Sequence, residues 1–300
     1  MPSYDSGARE GTGPRGLCGV SNHSVNVPGA RSLTPGLLVG NSDANVHTNL
    51  DWTELLSQAA ATAERVEGWL QPSEVRFLAL LGSHPTAKGR VIELGAYRGK
   101  STAVLAMASR RTPTPGIVSV DPIDSAPLLA NLRREGVIDL VEFHGKFSHE
   151  FWPHWRDDIR LLWHDGANDR TTVRADVKAA LPFLVDRSIV AFHDVRNTSG
   201  ERVHVFIDDI LGSPHFGAAG VCGCIGWSQY RSETADTRAF QPQKSVLRRK
   251  LSRLRPYHDL SRGSPRGLRK HHYKVLRWFV PHGDVLPDEW MRAMSASAAS

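Results

Sequence analysis

Apolar residues recur along most of this chain at periods that predict its elements. From about residue 51 to 81 they return every three or four positions: Leu55, Ala59, Thr62, Val66 and Leu70, then Val75, Leu78 and Leu81 after Pro72. That spacing predicts two helices, the second opened by a proline. Short β-branched runs then alternate with helical stretches. Strands are predicted at 90–94, 116–120, 140–143, 159–163 and 189–192, with helices at 101–110, 126–135, 150–155 and 171–184 between them. Such alternation means a parallel sheet, here of five strands, covered by helices on both faces. A polar loop after Val195 precedes a predicted helix at 203–211, and 220–230 reads as an edge strand.

The two ends follow other patterns. Residues 1–48 are rich in Gly, Ser, Pro and Asn without periodicity, too little apolar surface to offset the entropy of ordering, and read as a flexible leader. In residues 231–300 basic stretches alternate with Leu247, Leu251, Leu254, Leu276, Phe279 and Val280, broken by prolines, which predicts two or three short amphipathic helices. The expected organisation is a leader (1–48), a helical segment (49–88), an α/β domain (89–230) and a basic helical extension (231–300).

Composition narrows the class. Forty per cent apolar residues in 300, with a mean hydropathy of −0.32, suffice for a sizeable core. No apolar run approaches the roughly 18–20 residues that span a bilayer. The first residues lack a basic start followed by an apolar stretch, so cytoplasmic residence is expected. The three cysteines, Cys18, Cys222 and Cys224, are an odd number and give no disulfide framework. The net charge of +6 belongs to the tail: residues 231–300 hold fifteen Lys or Arg against six Asp or Glu, leaving residues 1–230 at −3. Residues 244–277 suit an anionic membrane surface, with peripheral attachment, or a solvated appendage folded over the domain or over a homodimer partner; nucleic acid is the least expected partner.

The densest candidate chemistry lies where the first strand meets its helix, in Glu93-Leu-Gly-Ala-Tyr-Arg-Gly-Lys-Ser101. Two glycines four apart permit a tight turn and close backbone approach, and Ser101 suits a helix start. Ligands of open parallel sheets bind at such strand ends. Glu93 offers a carboxylate to a cationic group and would repel a pyrophosphate; with that acid and no Gly-x-Gly-x-x-Gly in this loop, a dinucleotide oxidoreductase is the least expected reading. Asp121, ending the second strand 28 residues on, stands where such folds place a ribose-binding acid.

This loop resembles the cofactor motif of class I S-adenosylmethionine-dependent methyltransferases, especially the catechol O-methyltransferase-like enzymes, and the wider pattern resembles methyltransferase family 24. The resemblance covers about residues 70–230 and includes Asp121, Gly145-Lys-Phe-Ser148, Asp165-Gly166, Val173-Arg-Ala-Asp176 and His193-Asp194-Val195. It implies a Rossmann-like fold, a mostly parallel seven-stranded sheet with helices on both faces, carrying helical N- and C-terminal additions. It also implies that Glu93, Gly95, Tyr97, Gly99 and Ser101 line the methionine part of S-adenosylmethionine, Asp121 the ribose, and Ser148 and His149 the adenine side.

Strands four and five end in His164-Asp165 and His193-Asp194, potential ligands for a hard divalent cation such as Mg²⁺ or Mn²⁺. In the resemblance Asp165, His193 and Asp194 match the metal positions of O-methyltransferases, where the ion clamps the acceptor and lowers its hydroxyl pKa. Alternatively the acids cap the following turns and the imidazoles are merely packed. One departure stands out: relatives read Asp-Gly-Asp-His-Ser-Tyr where this chain has Asp165-Gly-Ala-Asn-Asp169-Arg170. Asp169, His164 or His193 would then act as base beside Asp165, or the metal alone would have to acidify the acceptor. The expectation is metal-assisted methylation of a hydroxyl on a small molecule, sugar or glycolipid; the alternative is a catalytically silent binding module engaging a membrane, nucleic acid or protein through its basic tail.

Overall fold

The computed structural model describes residues 42–198, 200–259 and 264–295. The expected leader lies outside them, except that helix α1 (Ser42–Arg65) starts within its last residues. Helix α2 (Pro72–Ser83) follows, opened by a capping box in which Gln71 and Glu74 exchange side-chain and backbone hydrogen bonds. The predicted apolar positions of both helices are buried: Leu55, Ala59, Thr62, Val66, Val75, Leu78 and Leu81.

Next come β1 (Arg90–Leu94), α3 (Lys100–Ser109), β2 (Ile117–Val120), α4 (Ser125–Arg134), β3 (Val141–His144), the short α5 (Ser148–Phe151), β4 (Ile159–His164), α6 (Arg170–Ala180) and β5 (Leu184–Phe192). A short α7 (Arg202–Val205) continues as one π-helical turn to Ile210, followed by β6 (Phe216–Cys222) and β7 (Ile225–Tyr230). The seven strands form one sheet in the order β3-β2-β1-β4-β5-β7-β6, with β7 antiparallel to both of its neighbours and the other pairs parallel. This is the Rossmann-like, mostly parallel seven-stranded sheet that the resemblance implies. The single edge strand expected at 220–230 is instead a hairpin. Gly223 (φ +59°) and Cys224 make its turn, and Cβ at Gly223 would sit 2.6 Å from Cγ of Glu74.

Alternation along the strands divides the core in two. Val91, Ile117, Leu161, Trp163, Ile189 and Ala191 face a layer containing α1, α2, α3 and Trp290. Ile92, Val118, Leu162, Val190 and Phe192 face α6, α7 and the first part of the tail. The tail forms α8 (Gln241–Ser252), α9 (Gly267–Trp278) and α10 (Pro287–Ser295), within the predicted number of helices. Leu247, Leu251, Leu254, Tyr273 and Val280 join the second core, and Trp290 and Met294 the first, so the tail packs on both faces of the sheet. Lys244, counted above with the surface cations, is buried and donates to the carbonyls of Ser213 (2.8 Å) and Phe216; burial lowers its ammonium pKa to about 8.

Candidate functional site

The carboxyl ends of β1, β2 and β4 meet at the glycine loop. Gly95 (φ +90°), Tyr97 (φ +49°) and Gly99 (φ +86°) hold it in left-handed conformations. Gly95 is packed against the loop after β4: an added Cβ would overlap the backbone of Gly166 and lie 2.6 Å from the Asp165 carbonyl carbon. The contact is tied by the Asp165 amide donating to the Leu94 carbonyl at 2.8 Å.

Asp121 pins the turn from the next strand. Its Oδ2 accepts the amides of Ala96 (2.7 Å) and Tyr97 (2.9 Å), and its Oδ1 that of Ile123 (3.1 Å). Oδ2 is thereby filled, while Oδ1 can accept one further bond at the strand end. Ser148 and His149 start α5 beyond β3, at the same end of the sheet, with the exposed His149 ring stacked on Phe147 at 5.5 Å.

Glu93 is enclosed rather than open to a ligand. It is wholly buried, and its carboxylate accepts from Ser101 (2.6 Å), Thr102 (2.6 Å) and Ser119 (2.7 Å). Burial pushes its pKa up to about 7, against the pull of those three hydroxyls. Glu93 and Ser101 thus lock strand to helix and shape the loop from beneath.

His193, Asp165 and Asp194 do come together. His193 Nδ1 lies 3.1 Å from Asp165 Oδ1 and 3.8 Å from Asp194 Oδ1. Its Nε2 lies 3.3 Å from Oε2 of Glu74, which also accepts the amides of Gln71 and Cys224. Burial alone would lower the His193 pKa, but Asp165, Glu74 and Asp194 raise it well above the ordinary value, and both ring nitrogens face acids. Burial would raise Asp165, yet His193 and Arg202 hold it below the usual carboxylate range.

Arg202 is the residue that sequence reading missed here. Its guanidinium is buried, donates to the carbonyls of Asp165, Gly166 and Ala167 at 2.9 Å each, and approaches Asp165 Oδ1 (3.3 Å) and Asp194 Oδ2 (3.7 Å). It therefore occupies, with a fixed positive charge, the place between the two acids that a divalent ion would need. The donor set suits a metal poorly: Arg202 lies against both carboxylates, and both His193 ring nitrogens already face acids. Among the described residues no group of three His, Cys, Asp or Glu is arranged to hold one. The expected ligands Asp165, His193 and Asp194 thus stand together with Arg202 lying against both acids.

Two further candidates are placed elsewhere. His164 points to the opposite face of the sheet, where Nε2 meets Asp176 at 3.0 Å and the ring stacks on Phe192. Asp169 is the N-cap of α6: it accepts the Thr172 amide at 2.9 Å, and that bond lowers its pKa. His164 is thus engaged away from the loop, and Asp169 is engaged as a cap.

The segment before α2 was also not foreseen as part of the site. Glu67 pairs with Arg98 and accepts from the Tyr97 hydroxyl (3.1 Å), Lys100 donates to the Gly68 carbonyl (2.9 Å), and exposed Trp69 packs on Tyr97 at 5.0 Å.

Residues 92–195 match the family model described as a methyltransferase domain, family 24. No curated protein sequence matches the chain. Among solved structures, cofactor-bound Rv0187 from MTB is 19% identical over 65% of this chain and 100% of that one, with a TM-score of 0.46. The O-methyltransferase from Bacillus cereus in complex with SAH is 17% identical over 59% and 90%, also at 0.46. The O-methyltransferase TomG from Streptomyces achromogenes in complex with SAM is 20% identical over 60% and 90%, at 0.46.

Proposed function

We propose that the chain, whose residues 92–195 match the methyltransferase domain model, methylates a hydroxyl of a small molecule, sugar or glycolipid without a metal ion. The observation that carries this reading is the acidic cradle at the strand ends, Asp121 holding the left-handed loop next to Asp165. Two acids beside a loop of exposed backbone suit a diol and a cationic centre, and would repel phosphate. S-adenosylmethionine has both features and supplies the sulfonium methyl group.

In this reading Gly95, Tyr97 and Gly99 cradle the methionine part, Asp121 takes the ribose hydroxyls, and Ser148 and His149 flank the adenine. Glu93 and Ser101 act through the loop they brace. The Asp165 side chain keeps 26% of its surface exposed, the most of the cluster's acids. It accepts the acceptor hydroxyl's hydrogen and takes the proton as the oxygen–methyl bond forms, while His193 and Arg202 keep it ionised and oriented. Arg202 supplies in fixed form the positive charge that a metal would bring.

Turnover of S-adenosylmethionine to S-adenosylhomocysteine with a panel of hydroxylated acceptors, after EDTA treatment, tests the reading. Activity that survives EDTA and is lost in Asp165→Asn with cofactor binding intact is expected. Activity restored only by Mg²⁺ or Mn²⁺ would reject the metal-free mechanism.

A further inference from the structure

The basic tail does not present one uniform charged surface. In α8 the apolar stripe Leu247, Leu251 and Leu254 is buried in the second core, so that helix has a single apolar face and it is already occupied. In α9 there are two. Tyr273 and Val280, with the partly buried Leu276, pack inward, and the Tyr273 hydroxyl donates to the Arg196 carbonyl. Arg277 reaches Sγ of Cys224 at 3.1 Å. On the opposite side Leu268 (89% exposed), Val275 (41%), Trp278 (72%) and Phe279 (52%) recur at helical spacing and face solvent.

Cations lie beyond one edge of this outer stripe. Lys270 and Lys274 are exposed and, among the described residues, in no ion pair, and the helix has no acid. The only acid from residue 241 to 283 is Asp259. We propose that the outer face of α9 is a docking surface for an anionic lipid bilayer, lying in the interface with Leu268, Val275, Trp278 and Phe279 in the acyl boundary and Lys270 and Lys274 on the headgroups. An exposed apolar face of Leu, Val, Trp and Phe with lysines beyond one edge matches a lipid surface. Nucleic acid would call for cations at the centre, and a second copy would set one basic helix against another. The proposal goes beyond methyl transfer and does not depend on it.

Sedimentation of the full chain with vesicles tests it, comparing neutral phosphatidylcholine with mixtures containing phosphatidylglycerol, at low and high salt. Binding to the anionic vesicles only, weakened by salt, is expected. Lys270→Glu with Lys274→Glu should lower the affinity on the order of thirtyfold or more, each lysine contributing about fivefold near an anionic surface. Leu268→Asp with Trp278→Asp should abolish binding. All four side chains are exposed, and unchanged melting temperatures verify the fold of both variants. No binding to anionic vesicles, or binding that survives both double substitutions, overturns the proposal. So does a concentration-dependent dimer or an RNA complex that competes with vesicles and is lost with the same substitutions.

Discussion

Arg202 carries a positive charge into a group of acids that would otherwise repel one another, and much of the site's behaviour follows. Replacing it with Met leaves Asp165 and Asp194 short of their cation and three carbonyls short of a donor. Loss of one partner from a buried pair costs about 3–5 kcal/mol, which chemical denaturation should register. His193 adds a pH dependence. Its folded pKa is raised, so its contribution is complete below the unfolded value of about 6.5 and is lost as pH rises toward the folded pKa. Glu93 acts in the same direction: its carboxyl moves from 4.5 up to about 7 on burial, so stability declines between those values as the pH rises. Melting temperatures followed from pH 4.5 to 8 should therefore fall, and the fall should be smaller in His193→Gln and, in the lower half of the range, in Glu93→Gln. A profile identical to wild type in both variants would contradict the assignment of these charges.

At the level of elements, the close crossing of the β1 and β4 loops makes Gly95 the least replaceable position. Gly95→Ala meets both a left-handed backbone and an overlap with Gly166, and should cost several kcal/mol, roughly 2–5. Gly136→Ala, also left-handed (φ +67°) but with nothing within 4 Å of the added Cβ, should cost only about 1–2 kcal/mol. Equal costs would show that crowding at Gly95 is relieved by the loop. The strand–helix alternation was legible in the sequence because buried parallel strands are short apolar runs with polar joints. The β6–β7 hairpin was not, because its turn is Gly223-Cys224 inside one continuous apolar stretch rather than an Asn-Gly between two. Asp121 and the glycine loop could be located from spacing. Glu74 could not be joined to His193, 119 residues away, and Arg202 sat in a segment whose polarity said only loop. His164 was misplaced for a simple reason: adjacent strand residues point to opposite faces, and His164 shares its face with Asp176 of α6.

For the whole molecule, contacts place Ala44–Ser300 in one unit, and the tail contributes to both cores. Trp290 is the clearest instance, 1% exposed and packed edge-on against Phe77 (5.8 Å) and Trp227 (5.0 Å). Trp290→Ala should cost about 3–5 kcal/mol and leave a single unfolding transition; a separate early transition would show that the tail folds on its own. No helix among the described residues is long and apolar enough to cross a membrane. On the proposed reading the strand ends around Gly95 and Asp121 hold S-adenosylmethionine without a metal. Titration calorimetry of S-adenosylhomocysteine into EDTA-treated protein tests it most directly. The account predicts saturable binding, unchanged by Mn²⁺ and lost in Asp121→Ala; failure of the folded wild type to bind, or binding only once Mn²⁺ is added, would contradict it.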